Sequence, residues 1–290
     1  AVGRVVFFNV TNGDYSFSNF TSRIRVNQPN LNSHFLFLIL NSIYQKGETF
    51  SYQHGTSGLK NLDLPQYLQI QIPLPPLDIQ KKIVEECEKV DAECEKARKE
   101  IEKANREIEN TFQDTQKKAT KQYKFLNSTY FDISIGRRVL DKEVEQAGEI
   151  AVYSANVHEP FGYINKLLLT DFSQPSVLWG IDGDWMTNFI PAGIKFYPTD
   201  HCGVIRVKTP DVSARYLSLA LLERGIQAKF SRTLRASMDR VKALDIMLPS
   251  LKEQEQVVQK IEELEKKITE AKRVLSTAQE QKNNILNKWL

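Results

Sequence analysis

Long apolar runs are missing from this chain: no stretch approaches the roughly 18 residues of a membrane-spanning helix, so no membrane partner is expected. Cysteine is scarce, with three residues (Cys87, Cys94, Cys202) in irregular positions. An odd, scattered set does not make a disulfide scaffold, and a reducing prokaryotic cytoplasm is the expected setting. Histidine is scarce too, with four in 290 residues. The four (His34, His54, His158, His201) show no ligand spacing, and His201 beside Cys202 is an isolated pair, so no metal is expected. Glycine-rich cofactor loops are also lacking, since Gly180-x-x-Gly183 falls short of a dinucleotide fingerprint. No charged-then-apolar leader opens the chain, and none is read as a secretory signal. Charge of one sign is not in excess: the formal net charge is +3, which permits a nucleic-acid partner without requiring one.

What is present is ordinary in bulk and unusual in order. Hydrophobic residues make up 41% and charged residues 26% of the 290, enough for a sizeable core and two domains or one large one. The chain then repeats itself. Pro75-Pro76-Leu77-Asp78-Ile79-Gln80 returns 174 positions later (249 − 75) as Pro249-Ser250-Leu251-Lys252-Glu253-Gln254. The same offset pairs Ile72 with Ile246, Leu74 with Leu248, Ile83 with Val257 and Glu88 with Glu262. Upstream the offset is 181 (205 − 24): Ile24-Arg25-Val26 matches Ile205-Arg206-Val207, and Phe35, Leu36, Leu38 and Leu40 match Tyr216, Leu217, Leu219 and Leu221. The first copy therefore carries about seven extra residues near Tyr44 to Ser57.

Each copy ends in a long helical pattern. Apolar or small residues fall at Ile83, Cys87, Val90, Cys94, Ala97, Ile101, Ala104 and Ile108, in steps of four and three. That is the heptad rhythm of a coiled-coil seam. The second copy keeps it at Val257, Ile261, Leu264, Ile268, Ala271, Leu275 and Ala278 and breaks it only at Lys282. A register held over that length predicts that the two helices face each other, antiparallel. Ser250 with Glu253 is a capping box, and Asp78 with the paired prolines starts the first helix.

Before the second helix, residues 126–250 show short β-rich runs (Ile150–Tyr153, Ser176–Trp179, Gly193–Tyr197, Val204–Val207) and a helix from about Val212 to Arg224, punctuated by Gly, Pro, Asn and Asp. The fold class expected is α+β: β-rich domains, one partial and one complete, each followed by a long helix. The expected segments are 1–77, 78–125 (first long helix), 126–250 and 251–290 (second long helix). Because Ala1 aligns near Asp182, roughly 55 residues at the front of the first copy have no counterpart here, and the native chain is expected to extend upstream.

A β-rich domain, a Pro-Leu-Pro-Pro-Leu-x-x-Gln-like junction and a long helix, all given twice, resembles the specificity subunit of type I restriction-modification enzymes. The strongest carriers are Ile72 to Gln80 with Leu248 to Gln254, and the run Phe196-Tyr197-Pro198-Thr199-Asp200-His201-Cys202-Gly203. The resemblance implies two target-recognition domains, each reading half of a split site in double-stranded DNA, with the helices as a ruler. It implies two modification subunits, which methylate adenine at N6, and restriction subunits for cleavage. It implies no cofactor for this chain, since S-adenosylmethionine and ATP belong to the partners, and no catalysis. The Asn-Pro-Pro-Tyr type motif of an adenine methyltransferase is indeed absent. A helix of about 35 residues spans roughly 50 Å, which matches on the order of 15 base pairs of DNA.

On this reading the DNA-contact candidates are loops. Arg232-Thr233-Leu234-Arg235-Ala236-Ser237 interleaves basic and hydroxyl residues; its plainer reading is a solvated loop, or an arginine paired with Asp239. The roughly matching loop of the first copy holds His54, Thr56 and Lys60, and Arg137-Arg138 follows Gly136 as a phosphate clamp or an ordinary surface turn. In Trp179-Gly180-Ile181-Asp182-Gly183-Asp184-Trp185, the glycines would admit DNA, Asp182 would accept from a cytosine amine and Trp185 would lie at the contact, against a tight turn with core tryptophans. Tyr153 and Asn156 pair an aromatic with an amide suited to adenine. Two other functions compete: the recognition portion of a larger fused methyltransferase-endonuclease, and a purely structural coiled-coil scaffold.

Overall fold

The structure, a computed structural model, describes residues 2–10, 12–55 and 60–290. It divides into two compact units, Ala1–Lys103 with Lys267–Leu290, and Ala104–Lys266. Both long helices contribute to both.

In the first unit, α1 (Ser33–Gln45) starts where the Asn32 side chain accepts from the amides of His34 and Phe35, at 2.9 and 3.0 Å. It stops at Gly47, whose φ of 76° is the left-handed conformation that ends helices. A 3₁₀ turn (Glu48–Tyr52), a two-strand ladder of β1 (Gln53–His54) and β2 (Asn61–Leu62), and the single turn α2 (Leu64–Tyr67) lead to α3 (Leu77–Gln116). Phe35, Leu38 and Ile39, spaced three and four apart on α1, pack on Ile83, Val84 and Cys87 of α3 and on Leu286 of the last helix, α6 (Leu251–Trp289). Asp91 meets Lys282 at 2.5 Å and Glu86 meets Lys288 at 3.3 Å, so the start of α3 lies against the end of α6. The one seam position that breaks the apolar rhythm, Lys282, is thus neutralised by Asp91.

Residues 2–10 and 12–32 hold no helix or strand. Ile24 is 44% exposed, whereas Ile205, its counterpart in the repeat, is fully buried between two strands that precede it in the chain.

The second unit contains β3 (Lys121–Lys124), β4 (Phe131–Ile135), β5 (Ile150–Tyr153), β6 (Gly162–Ile164), β7 (Ser176–Gly180), β8 (Thr187–Ile190), β9 (Phe196–Pro198), β10 (Cys202–Val207), α4 (Ala214–Gln227), α5 (Met238–Lys242) and β11 (Asp245–Leu248). An antiparallel sheet runs β4-β10-β7-β8. A second, β6-β5-β9, pairs β5 with β9 in parallel, and β11 pairs with β3. Trp179, Phe131, Ile205, Leu217 and Leu221 fill the core together with Phe112 of α3 and Val257 and Ile261 of α6. Lys260 of α6 reaches Glu107 of α3 at 2.9 Å, again an antiparallel match. The fold is the expected α+β arrangement with two antiparallel long helices.

The strand expected at Gly193–Tyr197 is Phe196–Pro198, the helix expected from about Val212 to Arg224 is Ala214–Gln227, and the end of the first long helix differs most. Helix α3 ends at Gln116, and residues 121–124, expected as helix out to 125, form β3. Tyr123 and Phe125 alternate with lysines and a glutamine, and both aromatics are buried in the core, so period two wins over period 3.6 there.

The repeat is built as well as written. Gln80 and Gln254 are both fully buried at the start of the long helices. Gln80 donates to the carbonyls of Asn30 and Pro75, each at 2.8 Å, and accepts from the Asn32 amide at 2.8 Å. Gln254 donates to the carbonyls of Asp211 at 3.1 Å and Pro249 at 2.9 Å, and accepts from the Ser213 amide at 2.9 Å. Asn32 and Ser213 are the N-caps of α1 and α4. In both copies a buried amide pins the cap of the short helix to the proline junction. The Ser250–Glu253 capping box forms at the head of α6, with Ser250 N–H to Glu253 Oε2 at 3.1 Å.

Candidate nucleic-acid interface

In the second unit, five turns are tied together by backbone hydrogen bonds around the residues between β9 and β10. Arg137 N–H donates to the Pro198 carbonyl at 3.2 Å and Gly136 N–H to that of Cys202 at 3.1 Å. Thr199 N–H donates to the Tyr153 carbonyl at 2.9 Å, and Ile181 N–H to that of His201 at 3.0 Å. Ala236 N–H donates to the Ile181 carbonyl at 3.0 Å, and the Ala236 carbonyl accepts from the buried Trp179 Nε1 at 2.8 Å. Turns 136–138, 153–156, 180–185, 198–203 and 231–237 therefore sit on one rigid frame.

Glycine makes the frame close. A Cβ on Gly180 would overlap the Ala155 carbonyl, so this glycine admits the protein's own backbone. A Cβ on Gly203 would overlap the indole of Trp179, which is fully buried and has no room to move. Gly203→Ala is expected to lower stability by about 1–3 kcal/mol and to displace the Trp179 N–H that holds the 231–237 loop; thermal melting checks it, and an unchanged midpoint contradicts the packing described. Gly183, with φ 86°, turns the chain between Asp182 and Asp184 with open space around it.

On this frame the loop arginines meet carboxylates, and the partners are Asp182 and Asp184 rather than Asp239. Arg232 donates from Nε and Nη2 to the two oxygens of Asp184, both at 3.0 Å. Arg235 donates from Nη2 to Asp182 Oδ2 at 3.0 Å and from Nε to Oδ1. His201 Nδ1 bonds the same Oδ2 of Asp182. Burial pushes the Asp182 carboxyl up, but hydrogen bonds from His201 and Arg235 outweigh it and hold it below the ordinary carboxylate range. Asp184 is held low by Arg232. Ser231 closes the loop, its Oγ accepting from Leu234 N–H at 3.2 Å and lying 3.1 Å from Thr233 Oγ1, while Arg240 Nη1 donates to the Arg235 carbonyl at 2.8 Å.

The remaining candidates fall as follows. Ser237 caps α5 through its backbone position and makes no side-chain cap bond. Trp185 packs its ring on Phe230 and donates from Nε1 to the Leu222 carbonyl at 2.8 Å, which places it in the wall of the unit. Tyr153 is half-buried against Phe196, and Asn156 is exposed with its Oδ1 accepting from His158 and Glu159 amides at 3.0 and 3.2 Å. Arg137 and Arg138 are exposed, with no carboxylate partner among the described residues. His54 and Lys60 belong to the other unit, where His54 pairs with Asn61 and Lys60 Nζ donates to the Gly55 carbonyl at 3.3 Å. Thr56 lies outside the described residues.

In the sequence, His201 reads as an isolated neighbour of Cys202, and Asp184 carries no role of its own. A signal for Asp184 lies in the spacing, with two aspartates two apart and two arginines three apart. Burial pushes the Cys202 thiol up to about 12, so it stays a protonated core residue beside His201. Among the described residues no group of three His, Cys, Asp or Glu is placed to hold a metal, and no helix is long and apolar enough to cross a membrane.

The chain is similar in fold to solved structures of one kind. The type I restriction-modification system S subunit from M. genitalium aligns with a TM-score of 0.62 at 14% identity, over 90% of this chain and 73% of that one. A structure described as showing complex assembly and conformational transition of the type I R-M system aligns with a TM-score of 0.54 at 17% identity, over 92% and 73%. No curated protein sequence matches the chain. The family model described as the type I restriction modification DNA specificity domain matches residues 1–103 and 130–276, in two stretches as the duplicated junction requires, and the chain belongs to that family.

Proposed function

We propose that this chain is a non-catalytic subunit that reads a bipartite DNA site and positions adenine-N6 methyltransferase and restriction subunits on it. S-adenosylmethionine and ATP belong to those partners. The observation that carries the reading is the doubled junction, in which the buried side chains of Gln80 and Gln254 make the same three hydrogen bonds at the heads of two antiparallel helices. A split site calls for two readers of one design on one spacer. The second unit's reader is its frame of five turns, with the 231–237 loop foremost and Arg137 and Arg138 on phosphates. The solved structure of type I complex assembly supports partners of this kind.

Arg235→Ala is expected to weaken binding to the cognate site by about 1–3 kcal/mol and to relax one position of one half-site, leaving the other half-site intact. Arg137→Ala is expected instead to weaken all sequences alike and to lower the salt slope by about one. Binding titrations on cognate and scrambled duplexes at several salt concentrations measure both. A loss in neither variant removes these turns from the interface.

A further inference from the structure

We propose that the second unit reads guanine in the major groove, through Arg235 and Arg232, each held side-on by an aspartate so that its outer edge faces a base. This rests on the DNA-reading role proposed above and goes beyond it to the base.

Each arginine has part of its donor set already taken. A guanidinium carries five N–H groups in a planar fork. Asp184 occupies Nε and one N–H of Nη2 on Arg232, and Asp182 occupies the same two on Arg235. The parallel donors of Nη1 and Nη2 at the tip are left over in both. Two parallel donors need two adjacent acceptors. Guanine offers them as N7 and O6, whereas adenine, cytosine and thymine each put a donor or a methyl group at one of the corresponding positions.

Charge separates a base from a phosphate as the target. Phosphate contacts are driven by net positive charge and counterion release. An arginine already paired with a carboxylate has lost that charge but kept its directed donors, so a neutral acceptor pair is the better match. Arg137 and Arg138, exposed and without a carboxylate partner among the described residues, show the opposite arrangement.

Orientation is the third element. Asp182 is fixed from behind by His201 Nδ1, and the Arg235 backbone carbonyl is held by Arg240. Both backbone polar groups of Ala236 are bonded to the frame, the N–H through Ile181 and the carbonyl through Trp179. Such a site loses little conformational freedom on meeting DNA. Asp182 accordingly acts as a positioning residue for Arg235, with both oxygens occupied.

The test uses the assembled complex recovered from its source cell on this chain, presented with a random duplex library. The recovered site is expected to contain guanine at the position that Arg235→Ala relaxes. Replacing that guanine with 7-deazaguanine, which pairs normally but lacks the N7 acceptor, should weaken wild-type binding about tenfold or more. Arg235→Ala should become indifferent to 7-deazaguanine, and Arg235→Lys, which keeps the charge without the fork, should lose part of the preference for guanine while its salt slope stays unchanged. Asp182→Asn should lower the preference for guanine and steepen the salt dependence, because the arginine regains its charge. Selection that depends on the loop but shows another base at that position, or wild-type indifference to 7-deazaguanine, overturns the guanine assignment and leaves DNA reading in place. A complex that selects no sequence overturns the DNA-reading role, and this assignment with it.

Discussion

Ile261→Asp is expected to melt well below the wild-type protein. Ile261 is 1% exposed and packs in the core of the second unit with Val257 and Phe112. A carboxylate there finds apolar neighbours and no partner, and an uncompensated buried charge costs on the order of 3–5 kcal/mol. In a unit of this size each kcal/mol moves the midpoint by about 2–4 °C, so a drop of roughly 10 °C follows. Ile261→Val keeps the shape and should cost only about 0.5–1.5 kcal/mol. Circular dichroism melts of both variants decide the matter. A wild-type midpoint for the aspartate variant would mean that this face of α6 is solvated.

The buried glutamines carry the next largest effect. Gln254→Leu fills nearly the same volume but strands the Ser213 amide and the carbonyls of Asp211 and Pro249. The Pro249 carbonyl is left buried and unsatisfied, whereas the Ser213 and Asp211 groups are only partly buried and within reach of water, so a loss of about 1–3 kcal/mol is expected. Gln80→Leu removes the same three bonds in the first unit, to the Asn32 amide and the Asn30 and Pro75 carbonyls, and should cost a similar amount. Native-state hydrogen exchange at the Ser213 and Asn32 amides reports each junction by itself. Fast exchange at one amide with undiminished protection at the other, each in its own variant, would contradict the equivalence of the two copies.

The parts of the fold that periodicity encodes were legible. The heptad steps from Ile83 to Ile108 and from Val257 to Ala278 became two long antiparallel helices, because a repeated apolar seam has few ways to be buried. The change of offset from 181 to 174 also proved physical, since Gln80 and Gln254 reach residues at the first offset while starting helices at the second. Element ends were less legible. Lys121–Lys124 was lost to the preceding helix because its lysines continue the charged composition of α3, and only the burial of Tyr123 and Phe125 makes it a strand. The site was legible as loops and not as pairings. Interleaved basic and hydroxyl residues mark Arg232 and Arg235, but Asp184 and His201 come to them through backbone ties among turns far apart in sequence, which no local pattern records. Gly180 reads as an opening for DNA or as part of a tight turn, and what it admits is a carbonyl of the protein itself; Gly203, which carries no such reading, admits an indole.

The most direct test of the DNA-reading role is a map of methylated adenines in the genome of the source cell, with this chain intact, deleted, and carrying Arg232→Ala with Arg235→Ala. The account predicts a split motif whose methylation disappears on deletion, and whose one half alone loses stringency in the double variant. A methylation pattern that is the same in all three strains would contradict it.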